Sequence, residues 1–114
     1  MRWKEVSALG RRLPGVEEGR IYGARALAVH GSVVARLLAD GRSIVVKMEP
    51  DQRTVLCAAH PETFAVTSDV RNLAMVVVRL SAIDPEGLWP VLVGSWRRCV
   101  PPHAAAALDR EEPS

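Results

Sequence analysis

The sequence has 114 residues, 48% hydrophobic and 25% charged, with three Trp, one Tyr and one Phe, the profile of one ordinary folded domain. At this size roughly two-thirds of the unfolded chain's surface is buried on folding, which supports one core without disulfide or metal staples and excludes both a mini-protein scaffold and two domains. The formal net charge is +2, but residues 103–114 hold Asp109, Glu111 and Glu112 against Arg110, so residues 1–102 carry a net +4. The expected organisation is a single domain over 1–102 followed by a flexible, acidic, Ala-rich tail over 103–114. Thirteen of the fifteen cations are Arg, whose planar guanidinium forks onto phosphate or carboxylate; a GC-rich genome produces the same bias. Cys57 and Cys99 show no CxxC spacing and read as small hydrophobes of a reducing compartment. No apolar stretch follows the charged N-terminus, and the longest aliphatic run is 74–78, so a cytoplasmic protein without a membrane span is expected.

Residues 2–12 place Trp3, Val6, Leu9 and Leu13 within an arc of about 120° at 100° per residue, with Lys4, Glu5, Arg11 and Arg12 pointing away, which predicts an amphipathic helix. Gly10 lies on the apolar side, where a missing Cβ permits close approach, and Leu13-Pro14-Gly15 ends the helix. A polar link over 16–19 precedes four β-rich stretches, 20–22, 25–30, 33–39 and 43–48. Gly31-Ser32 and Asp40-Gly41 are the expected two-residue hairpin turns. Alternation puts Leu27, Val29, Val33, Ala35, Leu37, Ile44 and Val46 on the inner face and Arg36 and Lys47 on the other.

Glu49-Pro50-Asp51 starts a second helix, with Pro at its first position and acid in its first turn, and His60-Pro61 stops it. A short strand over 63–66, a polar loop over 67–73 and a long apolar central strand over 74–81 follow. Asp84-Pro85-Glu86 opens a third helix with Asp as N-cap; Leu88, Val91, Leu92, Ser95 and Cys99 share one face. Pro90 removes one donor and predicts a tightened or kinked first turn. This order predicts an α+β two-layer sandwich, α-β(3–4)-α-β(2)-α, with helices on one face of an antiparallel sheet and the other face available.

Catalytic and metal chemistry find no foothold in the pattern. His30, His60 and His103 lack ligand spacing, no Ser occupies a GxSxG elbow, and no glycine-rich phosphate loop is present. Neither an enzyme, a metal nor a cofactor is expected. Arg71-Asn72 stands out in the polar loop, where Arg can grip phosphate or guanine and Asn can read adenine; Asn also serves ordinary turns. Arg79, facing opposite to Val78 and Leu80, needs either solvent or a carboxylate, and Arg36 and Lys47 could join it in a basic stripe across the free sheet face. Of the aromatics, Tyr22 alone falls at a position not expected to pack, so a base-stacking platform is weakly signalled.

The run Leu13-Pro14-Gly15-Val16-Glu17-Glu18 with Tyr22-Gly23, His30-Gly31 leading to Ala35-Arg36-Leu37, Ser43-Ile44-Val45-Val46-Lys47 before Glu49-Pro50, Pro61-Glu62-Thr63-Phe64 with Val66-Thr67, and Val78-Arg79-Leu80 ahead of Asp84 and Ser95-Trp96-Arg97 resembles the MmcQ/YjbR family over nearly the whole chain. The resemblance implies a secretion-chaperone-like α+β fold, also described as a double-wing domain, and a DNA-binding label. The chain departs from that family after Thr67, where an aromatic-rich His-Tyr-Arg loop and a Trp-bearing strand start give way to Ser68-Asp69-Val70-Arg71-Asn72-Leu73-Ala74-Met75. Arg71 keeps its place while the rings are gone. The expectation is a non-enzymatic, DNA-binding-type protein whose Arg36, Lys47, Arg71 and Arg79 contact phosphate, with Arg20, Arg25 and Asn72 beside them. The alternative is a protein-interaction module that binds a second copy or a client peptide on the free sheet face.

Overall fold

The structure, a computed structural model, describes residues 1–111. In chain order these form α1 (Trp3–Gly10), β1 (Glu17–Ile21), β2 (Ala24–Val29), β3 (Ser32–Leu37), β4 (Ser43–Lys47), α2 (Pro50–Ala59), β5 (Phe64–Ala65), β6 (Met75–Arg79), a 3-10 turn (Leu80–Ala82), α3 (Pro85–Arg97) and α4 (Pro102–Glu111). The six strands make one sheet in the order β1-β2-β3-β4-β6-β5, antiparallel throughout. This is the α+β sandwich the sequence predicts, with α1 and α3 packed on each other and α3 on β3 and β4.

The helical face of the sheet buries Leu27, Val29, Ala35, Ile44, Val46, Val76 and Val78 against Val6, Leu88, Leu92 and Trp96. Gly10 is buried, and a Cβ there would overlap Leu27 Cδ1, so the glycine is required by close approach of α1 to β2. Asp84 caps α3 as expected, its Oδ1 accepting the Gly87 N–H at 2.8 Å. The segment is continuous α-helix through Pro90. Trp96 Nε1 donates to Pro14 O at 3.0 Å, which ties the end of α3 to the turn after α1.

Several expectations are corrected. Residues 17–19, read as a link, belong to β1 and pair with Ala26 to Ala28; a solvent-exposed edge strand needs no alternation, so periodicity is silent there. The β2–β3 turn is His30-Gly31, not Gly31-Ser32, and the β1–β2 turn is Tyr22-Gly23, all four residues having positive φ as two-residue hairpins of type I′ require. Val33 leaves the inner face because the register steps from Leu27↔Ala35 to Ala28↔Val33, making Val34 a bulge residue that is itself fully buried; one extra residue flips every side chain beyond it. The last apolar strand is shorter than 74–81, turning at Leu80 into the 3-10 turn. The segment expected to be a flexible tail is helical over Pro102–Glu111, while its last part, 112–114, lies outside the described residues.

Ser95 resolves the bulge. Its side chain is completely buried, its Oγ donates to Val34 O at 2.6 Å and accepts the Lys47 N–H at 3.0 Å. Those two backbone groups lie just past the last β3–β4 pair, Ala35↔Val46, and buried backbone groups must be paired. One hydroxyl on α3 thus continues the ladder where the bulge interrupts it.

Candidate nucleic-acid interface

Strand alternation carries Arg36, Val45, Val77 and Ala65 in one row across the face opposite the helices. Half of that face is roofed. Residues 66–74 fold over it, and Val70 packs on Val45 and Val77 with Leu38, Ala65 and Met75 around them. The other half is a shallow cleft of about 200 Å³ lined by Ile21, Tyr22, Val33, Arg36, Val45 and Lys47.

Arg36 is half-buried in this cleft, and among the described residues its guanidinium has no hydrogen-bond or ion-pair partner. Arg79 faces the same side, since its register partner is Ser43; it is exposed and donates Nη1 to Pro61 O at 2.8 Å, a contact that leaves the positive charge uncompensated. Arg71 and Asn72 are exposed on the roofing segment. Lys47, at the end of β4, lines the cleft wall but places its ammonium 3.5 Å from Cys99 Sγ, just past the end of α3. Burial raises the Cys99 thiol above its ordinary pKa, with the Lys47 charge opposing, and the thiol donates to Val33 O at 3.4 Å.

Arg20 and Arg25 are direct cross-strand partners, and alternation with Leu27 places both on the helical side of the β1–β2 hairpin. Arg25 pairs with Glu18 at 3.7 Å, and Glu18 also accepts from Trp3 Nε1 at 3.1 Å. Arg20 donates to Gly23 O at 2.9 Å at the hairpin tip. The seven residues picked from the sequence therefore divide: Arg36, Arg71, Asn72 and Arg79 share one side, Lys47 stands at its wall, and Arg20 and Arg25 lie across the sheet.

Arg53 is the residue the sequence did not reveal. From α2 its Nη1 donates to Val70 O (3.1 Å), Leu73 O (2.7 Å) and Met75 O (2.8 Å), and its Nη2 to Arg71 O (3.3 Å). One guanidinium thus fixes the backbone that presents Arg71 and Asn72. A side chain that binds only main-chain carbonyls leaves no residue-type signature.

A larger cleft of about 430 Å³ lies between α2 and α3, lined mainly by Leu56, Phe64, Ile83 and Val91. Of its polar side chains, Asp84 caps α3, Thr63 Oγ1 donates to Ala82 O at 3.0 Å and His60 faces Glu62 at 3.6 Å, while Gln52 is exposed. Among the described residues no three His, Cys, Asp or Glu side chains converge in a way that could hold a metal ion, and no helix is long and apolar enough to cross a membrane.

No family model matches this sequence, and neither does any curated protein. Among solved structures the chain is similar to Deinococcus radiodurans protein DR2400, which carries a DUF419 domain; the TM-score is 0.74 at 18% identity, over 95% of this chain and 88% of that one. At that identity the two share a fold.

Proposed function

We propose that this chain is a non-enzymatic, YjbR/MmcQ-like DNA-binding domain of the cytoplasm that grips phosphate through the free face of its sheet with weak sequence specificity. The observation that carries this is Arg36, a half-buried guanidinium without a partner among the described residues, on the same side of the sheet as the exposed Arg71 and Arg79. A cation left half-desolvated and unpaired costs free energy that an incoming anion returns. The motif resemblance and a fold like that of a DUF419 domain support the family part of the proposal.

Fluorescence anisotropy with labelled duplex and single-stranded oligonucleotides at low and moderate salt is the test. Affinity falls with salt, and the combined Arg36→Glu/Arg71→Glu variant weakens binding at least tenfold and lowers the log–log salt slope by about 1 for each phosphate no longer neutralised. Absence of binding at low salt, or an unaffected double variant, removes the proposal. Leu73 and Val66, 49% and 40% exposed on the roofing segment, favour the second reading, a protein-interaction module; light scattering and pull-down with Leu73→Asp as control decide it.

A further inference from the structure

Backbone strain, full exposure and positive charge coincide at the tip of the β1–β2 hairpin. A two-residue turn of type I′ demands left-handed φ at both centre positions, which Gly meets without steric cost and Asn or Asp tolerate. Gly23 does so at φ +81°, but the other position is Tyr22 at φ +51°, a bulky side chain where Cβ crowds the following carbonyl. At the second hairpin His30 takes φ +50°, yet His is a residue type enriched in that region. Tyr is not.

The ring recovers none of this cost inside the chain. Tyr22 is 103% exposed, whereas Trp3, Phe64 and Trp96 are 6%, 6% and 1% exposed. Its mount is firm, since β1 and β2 pair continuously from Glu17↔Ala28 to Ile21↔Ala24. Strain that the fold sustains without packing return marks a group held outward for contact.

Two cations flank it. Arg20 is fastened beside the tip by its bond to Gly23 O at 2.9 Å, and on the other side Tyr22 shares the shallow cleft with Arg36. An outward π-face between guanidinium groups suits an unpaired base and its neighbouring phosphates; a base inside a duplex hides both faces. We propose that Tyr22 is a stacking platform for an unpaired nucleobase, with Arg20 and Arg36 on the adjacent phosphates, so that the site prefers single strands. The proposal rests on the nucleic-acid reading above and specifies its ligand.

The experiment compares the full chain with Tyr22→Phe and Tyr22→Gly on a labelled oligothymidine, a duplex of equal length, and a single strand carrying 2-aminopurine. Tyr22→Gly loses about tenfold or more in single-strand affinity, changes little on duplex, and leaves the salt slope unaltered because every phosphate-facing cation is still in place. Tyr22→Phe retains affinity and the fluorescence change of stacked 2-aminopurine, which Tyr22→Gly abolishes. The melting temperature of Tyr22→Gly stays level or rises as strain is relieved, which separates a loss of stacking from unfolding. If Tyr22→Gly binds single strands as the parent does, stacking is overturned while the nucleic-acid reading stands. If the parent binds neither strand form, both fall.

Discussion

On one face the sheet hides Leu27, Ile44, Val46, Val76 and Val78 under α1 and α3, where Ser95 and the Trp96 indole find protein partners within 3.0 Å and the buried Ser7 Oγ on α1 is left without one among the described residues. On the other, Arg36 sits half-buried without one, Arg71 stands exposed, and Arg79 has a single backbone carbonyl. Burial on both faces involves β-branched residues, so hydrophobicity does not tell them apart. What differs is whether a charged group lies half-buried and unspent. Charges left unspent contribute little to stability and retain their interaction energy for something outside the chain.

That contrast can be broken at graded depth. Leu92→Ala, at a fully buried position on α3, is expected to cost about 2–5 kcal/mol through reduced burial and the cavity left behind, measured by urea unfolding. Ser95→Ala follows at about 1–3 kcal/mol, because Val34 O and Lys47 N–H are deprived of their shared partner; hydrogen exchange at Lys47 reports this directly. Asp40 provides a smaller, pH-dependent effect. Its carboxylate accepts the Arg42 N–H at 2.9 Å and the Ser43 N–H and Oγ at 3.0 Å, and these bonds, the Arg42 N–H foremost, hold its pKa below the ordinary 3.8. A depressed folded-state pKa stabilises above the unfolded value and loses that contribution as pH falls through the folded one. The stability difference between the parent and Asp40→Asn therefore shrinks as pH drops below about 3.8. Arg36→Glu is smallest, within about 0.5 kcal/mol by the same unfolding assay, although it weakens nucleic-acid binding. Were Arg36→Glu to destabilise as much as Ser95→Ala, the distinction between spent and unspent charge would vanish.

Elements whose burial is one-sided were legible in the sequence. The faces of α1 and α3, the requirement for Gly10, the Asp84 cap and the unpacked Tyr22 follow from periodicity and residue chemistry alone. The helical span over Pro102–Glu111 was obscured by its acidic, Ala-rich composition, and β1 by its exposure on both sides. At the site, Arg36 and Arg79 lie on the sheet face that alternation assigns them, and Arg71 lies in the expected loop. Lys47 keeps the face that alternation gives it, paired with Met75, but its ammonium goes to Cys99 Sγ, a partner 52 residues away that no local pattern signals. Arg53 was invisible for a related reason: its acceptors are 17 to 22 residues away, and every residue has a carbonyl.

The Arg53 guanidinium also has a mechanical meaning. Helix α2 contributes no fully buried residue, resting on the core through the half-buried Leu56 and Cys57, while the roofing segment anchors on the opposite side through Val70. A displacement of α2 by a few ångströms severs all the carbonyl bonds of Arg53 together, so helix and roof are geared to each other. Lifting the roof from Val45 and Val77 therefore either carries α2 with it or gives up all of those bonds at once.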